Sequence, residues 1–197
     1  RIEVAPSIGS WTFAQFNVDY RRYDGLPGPF VFASRFEYYG RVGRDAHEFR
    51  IFAGTTDLIR GNTSGSYRRN ECLNAAQSNT ETGCAELDRL VGTQLAVTSF
   101  ELRMPLFNPT SNHPVMLPPM ELAAFYDMGL IWDDRSTIAW NREVGNNATN
   151  IRTPLKTFGL SLRANMFGFA IGRLEYAIPL DRPGVGGLWT FSLSPAY

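Results

Sequence analysis

One arginine in a glycine-bounded segment has the strongest potential for specific polar chemistry in this sequence. Arg60 follows the aliphatic pair Leu58-Ile59 and precedes Gly61, within the stretch 50–62. Its guanidinium offers five N–H donors in a rigid, planar arrangement that matches carboxylates. An exposed loop has no need for an aliphatic pair followed by Arg-Gly. The pattern therefore favours a loop that folds back into a polar cavity.

Two acids, Glu101 and Asp127, are open to a catalytic interpretation. Both fall on the polar side of alternating segments, and paired carboxylates can act as general acid and base. The histidines, His47 and His113, have no second ligand at metal-binding spacing. No serine stands in a nucleophile-elbow context, and no glycine-rich phosphate loop follows a strand. Apart from the acid pair, nothing indicates an enzyme, and no metal or cofactor is expected.

The two cysteines, Cys72 and Cys84, lie in the same polar loop. In an oxidising compartment we expect them to form a disulfide, which the chain-entropy argument values at roughly 3 kcal/mol. The alternative is a pair of unrelated reduced thiols.

Alternation of apolar and polar residues predicts the elements that position these side chains. Period-two segments are separated by turns rich in glycine and proline, and no helix-period segment competes with them. A long polar loop, 41–93, carries Arg60 and both cysteines, and a second polar loop covers 133–153. The sequence therefore predicts an all-β, antiparallel fold. Its eight predicted strands are 2–8, 12–23, 29–40, 94–105, 120–132, 154–165, 168–180 and 188–197.

Composition restricts the class of protein further. The chain has 197 residues, enough for one domain, and its 19 Lys+Arg balance its 19 Asp+Glu, so no nucleic-acid-binding face is expected. No apolar run approaches the ~18–20 residues of a membrane helix. The chain begins at Arg1 without a methionine or a signal peptide. We interpret it as a processed product or a fragment.

The polar face of the predicted strands distinguishes a membrane barrel from a soluble sandwich or a lipocalin-like binder. A soluble sheet would expose many lysines, whereas here acids and arginines are balanced, as an enclosed lumen requires. These charged residues are Asp19, Arg21, Arg35, Glu37, Glu101, Arg103, Asp127, Arg163, Arg173 and Glu175. The aromatics of the other face lie mainly near strand ends, as in the girdles of lipid-facing barrels. They are Tyr20, Phe30, Tyr38, Trp132, Trp189 and Tyr197. We therefore favour a transmembrane β-barrel.

Several motifs resemble the bacterial surface antigen family. Its members are barrels of the BamA/TamA type, which insert proteins into outer membranes, with two-partner secretion pores as relatives. The matching segments are 52–54 with 58–61, 100–105, 125–129 and the aromatic C-terminus, in the family's order and spacing. The resemblance covers essentially the whole chain and corresponds to the C-terminal half of the family's barrel.

The resemblance implies roles for individual residues. Arg60, followed by Gly61, corresponds to the arginine at the tip of a loop that folds into the lumen, and Glu101 and Asp127 to the lumenal acids that hold it. A structural clasp is therefore favoured over a catalytic acid pair. The alternating C-terminal segment resembles the signal by which the assembly machinery recognises outer-membrane clients. Its residues are Trp189, Phe191, Leu193 and Tyr197.

The sequence also departs from the family pattern. Ala53 stands where the family usually has glycine, and Asn62 stands where an aromatic usually follows Arg-Gly. The family's periplasmic repeat domain and the first half of its barrel are not found. We therefore expect residues 1–197 to be the C-terminal part of one barrel domain, with loop 41–93 inserted. Because an eight-stranded barrel has room only for side chains, the strands are expected to form half of a barrel of about sixteen.

Two functions are compatible with these observations. The first is an outer-membrane barrel of the protein assembly and translocation family, whose lumen loop is pinned by the clasp. The alternative is a structural or anchoring barrel subunit of an outer-membrane complex, without insertase activity. The expected partners are outer-membrane lipid (phospholipid or lipopolysaccharide), the missing N-terminal barrel half or a partner chain, and subunits of an envelope complex. Nucleic acid is not among them.

Overall fold

A single antiparallel sheet of eight strands dominates the computed structural model, which describes residues 1–55, 58–68, 71, 84–107, 118–140, 151–166, 168–182 and 184–195. The eight predicted strands are confirmed, with small shifts at their ends. In their order across the sheet they are β1 (Ile2–Ser7), β2 (Phe13–Gly25), β3 (Val31–Val42), β6 (Gln94–Phe107), β7 (Met120–Trp132), β10 (Leu155–Met166), β11 (Ala170–Pro179) and β12 (Leu188–Pro195).

The two long loops contain short elements that the sequence did not predict. In the first loop, β4 (Ile51–Phe52) pairs with β5 (Val91–Gly92). In the second loop, β8 (Thr137–Ile138) pairs in parallel with β9 (Ile151–Arg152). The first loop also holds the 3₁₀-helices Ala46–Glu48 and Ser64–Ser66 and the α-helix Ala85–Asp88. Elements of two to four residues are too short to leave a periodic pattern in the sequence. None of the described helices is long and apolar enough to cross a membrane.

The two edges of the large sheet are β1 and β12. Each has one hydrogen-bonded neighbour among the described residues, β2 and β11 respectively, and the two edge strands do not pair with each other. The eight strands therefore do not close on themselves as a small barrel.

The two faces of the sheet differ sharply in polarity. On one face the large apolar side chains are open to the surroundings, as expected of a sheet that faces lipid. Those that are at least 39% exposed include Tyr20, Phe36, Phe100, Leu102, Phe158, Leu160, Leu174, Trp189, Phe191 and Leu193. On the opposite face polar and charged side chains are buried, among them Glu101, Asp127, Thr157, Ser161 and Glu175. This is the inverse of a soluble protein, in which apolar side chains are buried and charges are exposed.

Part of the long loop covers the polar face. Ile59 and Leu90 of this loop are fully buried, and they pack in one cluster with Leu95 and Val97 of β6 and Ile131 of β7. This small apolar cluster holds the loop against the sheet and positions the residue that follows Ile59.

Candidate functional site

The position of Arg60 is set by the residue before it. Ile59 fits against the backbone of β7 at Gly129, where an added Cβ would lie 2.1 Å from its Cδ1 atom. Only glycine leaves room for the aliphatic side chain there. The aliphatic residue of the predicted motif therefore acts as a spacer, which directs the Arg60 side chain along the polar face of β6 and β7.

Arg60 forms a buried clasp with carboxylates from three strands. Its Nε and Nη2 atoms donate to Asp127 Oδ2 at 2.7 Å and to Oδ1 at 2.6 Å, a bidentate pair. Its Nη1 atom donates to Glu101 Oε1 at 2.7 Å and lies 3.7 Å from Glu175 Oε1. The Arg60 side chain is 8% exposed, and those of Asp127 and Glu175 are 1% and 3% exposed. The sequence predicted that Arg60, Glu101 and Asp127 would meet, and the structure brings them together.

Two further side chains fix the plane of the guanidinium. The Cζ atom of Arg60 lies 3.6 Å from the ring centroid of Phe125, a distance that gives a cation–π contact. Ser99 Oγ accepts a hydrogen bond from Arg60 Nη2 at 2.9 Å and donates one to Asp127 Oδ1 at 2.6 Å. The arginine is therefore held both from above its plane and along its edge.

Glu101 connects the clasp to the wider charge network of the sheet. It accepts hydrogen bonds from Arg103 Nε at 2.8 Å and from Arg163 Nη2 at 2.7 Å, besides the one from Arg60. Buried charges are tolerated when they are paired and hydrogen-bonded in this way. Glu101 thus accepts hydrogen bonds from three arginines, so the charge network extends from the loop into the sheet.

Gly61 allows the loop to turn immediately after the clasp. Its φ is +77°, in the left-handed region that favours glycine. An added Cβ would lie 3.1 Å from Ala177 Cβ and 3.3 Å from Thr157 Cγ2, which is tighter than ordinary contact. The Arg-Gly pair is therefore required both by backbone conformation and by the closeness of β10 and β11.

Asn62, which occupies the family's usual aromatic position, makes polar contacts in this chain. It is fully buried, and its Nδ2 atom donates to Thr157 Oγ1 at 3.0 Å. The Tyr67 hydroxyl donates to Asn62 Oδ1 at 3.3 Å. A hydrogen-bonded attachment to β10 thus stands where an apolar contact would be expected.

A second buried arginine, Arg182, contacts the same loop from the connection between β11 and β12. It donates to the carbonyl oxygens of Gly61 and Ser66, each at 2.8 Å, and to the Glu71 carboxylate at 2.9 and 3.0 Å. Its Cζ atom lies 3.9 Å from the ring centroid of Tyr67.

Glu71 and Tyr67, whose side chains contact Arg182, have shifted pKa values. Burial opposes the charge on Glu71, but hydrogen bonds from Arg182 and from the Arg68 amide outweigh it, so the pKa of Glu71 is lowered. Burial raises the pKa of the Tyr67 hydroxyl, which therefore stays neutral and able to donate.

The sequence did not single out Ser99, Glu175 or Arg182. Glu175 was assigned to the polar face by alternation, but alternation does not report which acids lie within reach of one arginine. Arg182 follows Asp181 in a turn, and nothing in its spacing relates it to a segment more than a hundred residues earlier in the chain. Only the pairing order of the strands brings these positions together.

Other predicted residues fall in different parts of the molecule. Cys84 is buried, but Cys72 lies outside the described residues, so the disulfide stays a prediction. Trp189, Phe191 and Leu193 share the exposed face of β12, whereas Tyr197 lies outside the described residues.

The chemistry available at this site is electrostatic attachment. In the described part of the chain, no group of three or more potential ligand residues is arranged to hold a metal ion. The acids that could have formed a catalytic pair are engaged by arginines instead. The arrangement can fix a loop on a sheet face without forming or breaking a covalent bond.

Residues 2–193 match the family model for the Omp85 superfamily domain. A search among curated proteins finds no significant match.

Proposed function

This chain belongs to the Omp85 superfamily, and on that premise we propose that it is the C-terminal half of a barrel that assembles or translocates proteins. The resemblance to barrels of the BamA/TamA type is thereby confirmed. Omp85 barrels are assembly factors and not enzymes, and they reside in the bacterial outer membrane. What this barrel handles, and which parts complete it, belong to the proposal.

The observation that carries the proposal is the buried Arg60 clasp. A bidentate pair with Asp127, a bond to Glu101 and a contact with Phe125 place a loop residue against the charged face of the sheet. Charged side chains at lipid depth are stable only when they face an enclosed, polar space. In our proposal this face is the lumen, and loop 41–93 lies inside it.

The open edges support a larger barrel. Among the described residues the outer edges of β1 and β12 have no partner strand, and unpaired backbone groups there would each cost several kcal/mol in a lipid bilayer. An eight-stranded barrel would also leave no space for the loop. We propose that a further set of strands, from an N-terminal portion or a partner chain, completes a barrel of about sixteen strands.

The proposed mechanism is a lumen whose obstruction is set by one anchored loop. With Arg60 engaged, the loop narrows the channel and fixes the relative positions of β6, β7 and β11. Trp189, Phe191 and Leu193, with Tyr197, form the C-terminal signal through which the barrel is itself assembled, and a Cys72–Cys84 disulfide would restrain the loop. The surrounding partner is outer-membrane lipid against the exposed aromatic and aliphatic face.

Depletion of the protein from its bacterium tests the function. Loss of many different outer-membrane β-barrel proteins is the expected result, because an assembly factor serves many clients. Re-expression of the wild type should restore them, whereas Arg60→Ala should restore fewer. Unchanged levels of all outer-membrane barrels after complete depletion would refute an assembly role.

Conductance tests the position of the loop. The wild-type protein and Arg60→Ala are reconstituted in planar bilayers, with Arg44→Ala as a control in the same loop. Arg44 is 77% exposed and pairs with Asp45 at 3.4 Å, so its removal should leave conductance unchanged. Arg60→Ala should raise it. Equal conductance for all three proteins would place the loop outside the channel.

A structural or anchoring barrel is the second candidate, and Asn62 is the observation that favours it. The usual aromatic residue is replaced by a buried amide that is hydrogen-bonded to Thr157, which attaches the loop more firmly to the wall. A barrel with a fixed loop suits a permanent support better than a moving machine. In the depletion experiment this candidate predicts the loss of one envelope complex, with other outer-membrane barrels unaffected.

A further inference from the structure

We propose that Arg182 is a second positioning residue, which ties loop segment 61–68 and Glu71 to the β11–β12 connection and so couples the loop to the edge strand β12. This rests on the proposed function only in taking the loop as the part that obstructs the lumen. The coupling itself is argued from the contacts of Arg182.

Every N–H donor of the Arg182 guanidinium has an acceptor. Nη1 donates to Gly61 O and to Ser66 Oγ, both at 2.8 Å, and Nη2 donates to Ser66 O at 2.8 Å. Nη2 also donates to Glu71 Oε1 at 3.0 Å, and Nε donates to Glu71 Oε2 at 2.9 Å. Five donors are used in one plane, an arrangement that lysine cannot reproduce with its single ammonium group.

Burial makes these contacts consequential. The Arg182 side chain is 1% exposed and that of Glu71 is 10% exposed. Tyr67 covers one side of the guanidinium, and its hydroxyl bonds to Asn62. An arginine enclosed to this degree must keep its acceptors, because a buried unpaired charge is costly. The loop segment and the connection must therefore either move together or, if they separate, expose the Arg182–Glu71 ion pair to solvent.

The second anchor acts directly beside the first. Arg60 attaches the loop to β6 and β7, and the carbonyl of the next residue, Gly61, is bound by Arg182. The adjacent loop residues Arg60 and Gly61 are thus attached to different parts of the molecule. Arg60 is bound to β6 and β7, and Gly61 is bound to the β11–β12 connection. Between them they link the central strands to the hairpin that ends in β12.

The position of β12 gives this link its importance. Among the described residues β12 pairs with β11, and the β11–β12 connection leads directly into this pairing, so it helps to set where β12 begins. Because Arg182 hydrogen-bonds to the loop, a displacement of the loop should also displace that connection. Release of the loop should therefore loosen the end of β12 that adjoins the connection.

The test is hydrogen exchange on the whole protein in lipid nanodiscs, comparing the wild type with Arg182→Gln and Arg182→Lys. Exchange should rise together in residues 61–68 and in the start of β12 by about tenfold, as expected for the loss of a few hydrogen bonds. Exchange in the centres of β6 and β7 should not change. Arg182→Lys should fail to restore protection, because it lacks the planar set of donors. Glu71→Gln, which keeps the other acceptors, should give a smaller increase in the same two segments.

Arg152→Gln is the matched control. Arg152 is also a largely buried arginine outside the large sheet, and it donates to a carbonyl of the same long loop, that of Asp88, at 2.8 Å. It should leave both reporter segments unchanged. Increased exchange in residues 61–68 without any change in β12 would overturn the coupling, as would full protection in Arg182→Lys. A rise that includes the centres of β6 and β7 would show general destabilisation and would also overturn it.

The result is separable from the proposed function. If depletion shows no assembly role but the two segments respond together, the function fails and the coupling stands. If depletion removes many barrels but the segments respond independently, the coupling fails and the function stands.

Discussion

Two buried arginines, Arg60 and Arg182, anchor one loop in opposite ways. Arg60 belongs to the loop, and its partners are carboxylates of the sheet: Asp127, Glu101 and Glu175. Arg182 belongs to the connection beside β12, and most of its partners are neutral oxygens of the loop, with Glu71 as its carboxylate among the described residues. In the first case the sheet supplies the hydrogen-bond acceptors, and in the second the β11–β12 connection supplies the hydrogen-bond donor.

The difference predicts how each anchor responds to disruption. Without Arg60, several carboxylates would remain buried close together with less positive charge to balance them. Without Arg182, one carboxylate among the described residues, Glu71, would lose this partner, and the other lost bonds are to neutral oxygens that water can satisfy once the segment moves. Removal of one partner from a buried charge network is far more costly than loss of neutral hydrogen bonds. We therefore expect the Arg60 anchor to stay engaged and the Arg182 anchor to be released more readily.

Arg60→Ala gives the largest expected effect and tests whether the first anchor is the stronger one. We expect a loss of about 3–5 kcal/mol in the free energy of unfolding, the usual cost of breaking a buried ion pair from one side. Urea unfolding in lipid vesicles, followed by tryptophan fluorescence, measures it. Arg182→Gln should cost less in the same assay. If it costs more, the proposed ranking of the two anchors is wrong.

Gly129→Ala tests whether the first anchor depends on shape as well as charge. The new methyl group would overlap the Ile59 side chain, so we expect a loss of about 1–3 kcal/mol, typical of overpacking. The loss should shrink in an Ile59→Ala background, where the space is available. Gly65→Ala is the control, because nothing lies within 4 Å of its added Cβ. Equal losses from Gly129→Ala in both backgrounds would show that Ile59 does not position the arginine.

A double-mutant cycle separates the acids of the first anchor. Asp127 receives two side-chain bonds from Arg60, whereas Glu101 receives one and also serves Arg103 and Arg163. The coupling of Arg60 to Asp127 should therefore exceed its coupling to Glu101, within the range of about 0.5–3 kcal/mol for residues in contact. Arg60→Ala, Asp127→Asn, Glu101→Gln and the two double variants supply the values. The reverse order would make Glu101 the principal partner.

The sequence predicted most of the sheet for a physical reason, whereas the centre of the first anchor was implied by the family resemblance. Strand alternation is a local property, so the faces of Glu101 and Asp127 could be assigned from their own neighbours. The meeting of Arg60 with these acids was expected from family resemblance, which carries non-local information. Arg182 and its contacts with Ser66 and Glu71 depend on the path of an irregular loop.

A loop path of that kind leaves no periodic trace. The short pairs β4–β5 and β8–β9 were missed for the same reason, since two residues cannot display a period. Asn62 is the exception that sequence could have signalled. Its departure from the expected motif marked a position whose side chain forms a buried hydrogen bond to Thr157. A departure from a family motif is thus a usable indication of altered packing, although it does not name the new partner.

The smallest predicted effect concerns pH and tests the charge of the second anchor. The lowered pKa of Glu71 means that the folded protein holds its charged form more strongly than the unfolded chain does. Its contribution to stability is therefore complete above the ordinary value of 4.5 and is lost as the pH falls through the lowered pKa.

Because other acids titrate in the same range, the informative quantity is the difference in urea midpoint between wild type and Glu71→Gln, measured from neutral to strongly acidic pH. This difference should be constant near neutrality and should shrink below the ordinary pKa of a glutamate. A difference that stays constant throughout would mean that Arg182 is held by the neutral oxygens of Gly61 and Ser66 alone, and the two anchors would then differ even more than their contacts suggest.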